Sequence, residues 1–364
     1  MAAPETEPTV RDYGPPSRQT VRLAARTRRF WLPVARNWRM TPRGIRMLQR
    51  VVDPTERVPV LRGTEIERIS VGGVPCERIR ARRAGAGDPA RTGSTDRDEP
   101  VILYLHGGGY VFGSPRTHRN LVSRLSHVTG LPAVSVDYRL PPEWTLPAPV
   151  EDALAVYRAL LQERDAARIV VAGDSAGGNL AHELALHAVE AGLPAPAGLV
   201  LLSPWSDLSS SGASIRENAL EDPFIPESGL RRCARVAVGA GDPAHWRVSP
   251  LFAPDELQAA LPPTLIQVGT GEVLRDDGER VARRLAGLGV ETLLERYAGT
   301  LHVVPAWTNT PEARDALHRI ADFVSHVLPA GAAPEPSARA EAEAAGSEDE
   351  TMGIEPPAAP GAAA

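Results

Sequence analysis

Lysine is absent: all 40 basic residues of this 364-residue chain are arginine. Beside abundant Ala and Pro, that reads as codon usage and carries no function. Cysteine is nearly absent as well. Cys76 and Cys233 stand far apart and outside any C-x-x-C spacing, which excludes a disulfide framework and a Cys-based zinc site and fits a reducing, cytoplasmic setting. No apolar run approaches the ~20 residues of a membrane span, and the opening Met-Ala-Ala-Pro-Glu-Thr-Glu lacks a basic stretch before an apolar one. Neither membrane insertion nor secretion is expected. There is no internal repeat. The net charge of −5 excludes little, because residues 331–364 hold seven acidic residues and one Arg and leave the body near neutral. With 43% hydrophobic and 23% charged residues, the chain is long enough to bury a sizeable core as one domain with decorations.

Continuous apolar runs at 101–105, 133–136, 169–172, 199–202 and 265–268 alternate mostly with helical segments, as a parallel sheet covered on both faces requires. The fold class is α/β. Residues 64–70 and 75–82 alternate polar and apolar around Gly72-Gly73, which predicts an antiparallel hairpin at the sheet edge. Residues 1–16 are Pro-rich and polar, 84–99 lack periodicity, and 330–364 are rich in Ala, Pro and Glu. These read as a disordered N-terminus, a flexible insertion and a disordered tail. From Arg18 to Arg50 there are ten Arg and no Asp or Glu, interleaved with Phe30, Trp31, Trp38 and aliphatic residues. Two helices are expected there, the second starting at Thr41-Pro42. Such a segment suits nucleic acid or an anionic membrane surface, but also the lid of an apolar site, which is the preferred reading. Between Leu208 and Arg247 the β rhythm is lost, with a helix near Glu227–Val238. An insertion there sits over the carboxyl edge of the sheet. Residues 17–58 and 208–247 are therefore read as a cap, and 59–207 with 248–329 as the α/β body, ending in a strand near 292–297 and a helix near 311–327.

The chemistry centres on Gly173-Asp174-Ser175-Ala176-Gly177-Gly178, where a buried strand breaks and a helix begins. Flanking glycines allow the sharp turn that exposes a serine Oγ above a helix N-terminus, although a Gly-rich turn binding nothing is the plain alternative. A nucleophilic serine needs a base, an acid orienting it, and donors for an oxyanion. Of nine His, His182 lies about 10 Å along the helix from Ser175, too far to take its proton. His302 follows the last strand and comes after Ser175 in the chain, as this arrangement orders its base. The loop 269–277 offers Glu272, Asp276 and Asp277. The two aspartates sit where a helix begins and have a first-turn role, which leaves Glu272 favoured as the acid. Leu105-His106-Gly107-Gly108-Gly109-Tyr110 follows the first core strand, and its glycines can bring N–H groups close to a substrate. Gly107, Gly108 and Ala176 are the expected oxyanion donors, with His106 holding the glycine loop. Nothing points to a metal or cofactor.

With His106-Gly107-Gly108-Gly109, Gly173-Asp174-Ser175-Ala176-Gly177-Gly178 and His302 in hand, the chain resembles the bacterial hormone-sensitive-lipase family of α/β-hydrolases over residues 60–328. Asp137-Tyr138-Arg139-Leu140, Pro142-Glu143, Pro147-Ala148, Glu151-Asp152-Ala153 and Ser249-Pro250-Leu251 extend the similarity. The resemblance implies a mostly parallel eight-stranded sheet, a helical cap, and cofactor-free esterase activity on short or medium acyl esters. Trp31, Trp38 and Phe224 of the cap, with Tyr110 and Val303, are the expected pocket residues, although the Arg-rich N-terminus, residues 84–99 and the acidic tail lie outside the resemblance. Many relatives carry Asp where Glu272 stands, and Pro141 and Trp144 replace the usual Ala and His. The partner implied is a small ester, with no nucleic acid; a homodimer is compatible with the pattern. Lactone or acetyl-amide hydrolysis would use the same residues. Plant gibberellin receptors resemble the family but have lost the histidine, which this chain keeps.

Overall fold

The computed structural model describes residues 6–52, 59–81 and 99–330. In chain order these form β1 (Thr9–Tyr13), α1 (Arg18–Asn37), α2 (Pro42–Val52), β2 (Thr64–Val71), β3 (Val74–Ala81), β4 (Val101–Leu105), α3 (Pro115–Thr129), β5 (Ala133–Val136), α4 (Ala148–Glu163) and β6 (Ile169–Asp174). There follow α5 (Ala176–Glu190), β7 (Gly198–Leu202), the one-turn α6 (Ser214–Glu217), α7 (Glu227–Val238), the one-turn α8 (Asp255–Gln258), β8 (Thr264–Gly269), α9 (Arg275–Gly287), β9 (Thr292–Tyr297) and α10 (Pro311–Val327). The insertion expected at 84–99 and the tail expected at 330–364 lie almost wholly outside the described residues.

The strands make a single nine-stranded sheet in the order β1-β9-β8-β7-β6-β4-β5-β3-β2. The hairpin β2–β3 is antiparallel and meets β5 antiparallel, while the pairings from β5 through β1 are parallel. Strands β4, β6, β7 and β8 are buried along their whole length, which is why they read as unbroken apolar runs. Alternation sends Leu103, Leu105, Val171 and Leu201 to the side covered by α4, α5 and α9, and Ile102, Tyr104, Val170 and Leu202 to the side covered by α3 and α10.

The ninth strand corrects two expectations. The resemblance implies eight strands and the Pro-rich composition predicts a disordered stretch at 1–16, whereas Thr9–Tyr13 pairs in parallel with Leu293–Tyr297. Arg296 donates to both Asp12 carboxylate oxygens at 2.6 and 2.8 Å, Tyr13 stacks on Tyr297 with centroids 4.8 Å apart, and the Arg319 guanidinium lies 4.2 Å from the centre of the Tyr13 ring. The helices after it begin where their capping residues dictate. Ser17 accepts from the Thr20 amide at 3.2 Å, and the Glu312 carboxylate holds the Ser17 amide and hydroxyl together with the Thr20 hydroxyl. Thr41 accepts from Gly44 N at 3.1 Å at the start of α2. Cross-links join α1 to the 208–247 insertion. Trp31 Nε1 donates to Phe224 O at 2.9 Å, and Arg232 donates to the Ala35 and Arg36 carbonyls at 2.9 Å each.

Candidate active site

Parallel strands deliver their carboxyl ends to one edge of the sheet, and there the loops after β4, β6, β7, β8 and β9 converge. Ser175 sits between β6 and α5 with φ 55° and ψ −119°, a left-handed backbone rare for a residue with a side chain. The neighbouring glycines permit it. A Cβ on Gly173 would come within 2.2 Å of Gly177 O, and one on Gly177 within 2.1 Å of Leu105 O. The turn is held by Ser175 N donating to Leu202 O at 2.8 Å and Trp205 N to Ser175 O at 3.0 Å.

His302 and Glu272 meet across two loops. The imidazole Nδ1 lies 2.6 Å from Glu272 Oε2, while Glu272 Oε1 accepts from Gly269 N at 2.6 Å and Ser203 Oγ at 2.8 Å. Both residues are buried. Burial disfavours the imidazolium, but the charge and hydrogen bond of Glu272, with Asp222 and Asp174 adding their charge, outweigh it and raise the His302 pKa above the ordinary imidazole value. The other ring nitrogen, Nε2, has no hydrogen-bond partner. The competing aspartates are occupied elsewhere: Asp276 accepts from Ser214 N at 2.9 Å, and Asp277 from Asp207 N at 2.9 Å.

The glycine loop differs from its sequence reading at one donor. Gly107 N–H donates to Asp174 Oδ1 at 3.0 Å, and a Cβ on Gly107 would strike Asp174 Oδ2. Its amide therefore anchors the loop, and Gly108 and Gly109, both at positive φ, line the cavity instead. Tyr110 is a second correction. Its hydroxyl donates to Asn179 Oδ1 at 2.6 Å, and the side chain is buried behind the pocket rather than in its wall. His106 stacks on Tyr138, centroids 4.1 Å apart, and its Nδ1 reaches Gly107 O at 2.8 Å. Burial and the neighbouring His118 push its pKa down to about 3, so it stays neutral. It holds the glycine loop, as expected.

Ser175, His302, Gly108 and Gly109 open on a cavity of about 440 Å³ with mainly apolar walls. Trp31, Trp38, Phe224 and Val303 are in those walls, drawn from α1, the following turn, the 208–247 insertion and the loop after β9. Four residues here were not singled out from the sequence. Ser203 carries the Glu272 carboxylate and accepts from Val303 N at 3.0 Å. Asp222 accepts from Val273 N at 2.9 Å and ties the cap to the loop bearing Glu272. Trp307 donates to His302 O at 2.8 Å. His118 lies 3.5 Å from Asp174 Oδ2 and lines the cavity. Position at the carboxyl end of β7 was the one available signal for Ser203; the others depend on tertiary pairing. Among the described residues no His, Cys, Asp and Glu cluster suits a metal ion.

A family profile described as alpha/beta hydrolase fold matches residues 102–306. An acetyl-hydrolase of Streptomyces hygroscopicus is 40% identical over 232 residues, covering 63% of this chain and 76% of its own. A putative acetyl-hydrolase of Mycobacterium tuberculosis is 33% identical over 287 residues, 78% of this chain and 87% of its own. The solved structure of an esterase from the bacterial hormone-sensitive lipase family superposes with TM-score 0.75 at 36% identity, over 87% of this chain and all of that one. The chain belongs to the bacterial hormone-sensitive-lipase family of α/β-hydrolases. As a member of that family it is a carboxylic ester hydrolase. No helix among the described residues of this hydrolase is long and apolar enough to cross a membrane.

Proposed function

We propose that Ser175, His302 and Glu272 form the catalytic triad of this hydrolase and that it cleaves short- to medium-chain esters through an acyl-enzyme. The observation that carries the reading is the 2.6 Å His302–Glu272 pair, with Nε2 unpartnered in the cavity wall that Ser175 shares. In this mechanism Ser175 Oγ attacks the ester carbonyl as His302 Nε2 accepts its proton, and Glu272 fixes the ring and stabilises the imidazolium. The Gly108, Gly109 and Ala176 amides receive the oxyanion, aided by the positive end of α5. His302 then protonates the leaving alcohol, and water, activated the same way, releases the acid.

The cavity supports the proposed substrate size. About 440 Å³ is within the range of small-ligand pockets, and apolar walls favour an acyl chain over a charged group. Relatives named for acetyl and ethyl acetate hydrolysis support the short end of the range. A cytoplasmic setting is proposed on two buried, free cysteines. The test is hydrolysis of p-nitrophenyl esters from two to sixteen carbons, beside lactones and N-acetyl amides, by the intact protein and Ser175→Ala. Turnover of C2–C8 esters that vanishes with Ser175 supports the reading. Activity confined to lactones or amides would replace it.

A further inference from the structure

The two N-terminal cap helices have two unlike faces. Inward, Trp31 and Leu48 line the cavity. Outward, Arg18, Arg22, Arg26, Arg29 and Arg36 run in file along α1 at spacings of three, four and seven residues, and Arg43, Arg46 and Arg50 continue on α2, all exposed. Like charges three and four apart repel on a helix, and the segment from Arg18 to Arg50 holds no acidic residue to offset them. Of these eight, Arg46 alone has a carboxylate partner among the described residues, the exposed Glu143 at 2.8 Å. Exposed apolar side chains border this file: Val21 and Phe30 on α1 and Met47 on α2, with Val34 exposed on the side of α1 nearer the cavity. Leu220, 76% exposed, lies beside the same surface, because Arg28 donates to Glu221 O at 2.6 Å.

We propose that this face docks on an anionic lipid bilayer. The arginines would pair with headgroup phosphates, with Phe30 and Met47 entering the headgroup layer, a division of labour typical of interfacial helices. A nucleic acid would satisfy the arginines but leave Val21, Val34 and Met47 in water. Val34 belongs both to the exposed set and to the cavity wall, so docking sets the cavity against the membrane as a source of amphiphilic esters. The docking is independent of the ester reading; only the delivery of substrate rests on it.

The test is co-sedimentation of the full-length protein with vesicles of phosphatidylglycerol and phosphatidylcholine, with phosphatidylcholine alone as control and a single-stranded RNA as rival. The variants are the triple charge reversal Arg22→Glu, Arg26→Glu, Arg29→Glu and the double Phe30→Ser, Met47→Ser. Their residues lie outside the cavity wall, and an unchanged circular-dichroism spectrum and melting temperature check that each variant is folded. Binding should need phosphatidylglycerol and weaken with salt. It should fall about a hundredfold or more in the triple variant, each cation near the surface being worth roughly fivefold, and by about tenfold in the double. Absence of binding, equal binding to both vesicle types, undiminished binding by the triple variant, or tighter binding to RNA than to vesicles would overturn it. Vesicle binding with this pattern but no turnover of dissolved short ester would uphold docking and remove the proposed short- to medium-chain specificity.

Discussion

The ring of Phe224 stacks on the imidazole of His302, centroids 5.9 Å apart and planes 27° apart. Its other neighbours are Trp31, stacked at 5.6 Å, and Trp307, edge-on at 5.7 Å. An aromatic column thus runs from the first cap helix to the proposed base. Phe224→Ala removes its middle. The expected outcome is a loss of about 1–3 kcal/mol of stability, read from the urea midpoint. A roughly tenfold fall in kcat/KM should accompany it, equivalent to ~1.4 kcal/mol of lost positioning. Unchanged kinetics would mean that the base is held from below alone.

Glu272→Gln keeps the shape and removes the charge. Only neutral His302 accepts a proton, so the rate rises as pH passes upward through its pKa. Because that pKa is raised, the acid limb of the wild-type profile should lie above the ordinary value of about 6.5. In the variant the limb should move to lower pH, while the maximum rate drops by ~10³–10⁴. The stability contribution has a fixed sign too. The folded state binds this proton more tightly, so stabilisation is full below about pH 6.5 and is lost as pH rises through the raised pKa. A limb that stays in place would show that Glu272 does not set the base.

The assignment of Gly109 in place of Gly107 is separable by mutation. Gly109 has φ 61°, and a Cβ there would sit 3.3 Å from Cys233 Sγ. Gly109→Ala should turn the amide and cut kcat by ~10²-fold or more with KM little altered. The accompanying strain costs about 1–2 kcal/mol. Gly107→Ala instead collides with Asp174 and should lower the melting temperature first.

Glu183 on α5 is wholly buried, and neither carboxylate oxygen has a hydrogen bond. Burial raises its pKa to about 7, with His187 at 3.4 Å partly opposing the shift. The unfolded chain releases this proton near pH 4.5, the folded one near 7, so stability falls as pH rises between the two. The full effect of such a shift is about 3 kcal/mol. Glu183→Gln should flatten the decline in melting temperature from pH 5 to 8. An equal slope in both proteins would sink the assignment.

The elements that the sequence displayed were those whose stabilisation is local or spread over a whole strand. Strand β9 and helices α7 and α10 carry the limits expected of them, since turn residues or Pro fix their ends. Strand β1 was hidden because Thr-Val-Arg-Asp-Tyr has little apolar character of its own and becomes a strand by pairing with β9. Gly107, Gly108 and Gly109 are identical letters, and which of them faces the cavity is decided by Asp174, more than sixty residues away. Tyr110 was misplaced for a related reason, its hydroxyl being claimed by Asn179 on α5. His118, on α3, meets Asp174 only through the fold, so no local pattern marks it.

The short strand β1 also fixes where the cap is attached. It ends at Tyr13, fixed to the sheet, and four residues later Ser17 is fixed to Glu312 at the start of α10. The first cap helix is therefore hung from the body at its N-terminal end. Its other end is no freer, since Arg232 holds the Ala35 and Arg36 carbonyls and Gln49 on α2 donates to the Val111 and Pro141 carbonyls. The cavity roof is thus a beam clamped at both ends, and a change in the length of the Gly14–Ser17 link would be felt at the wall formed by Trp31 and Trp38.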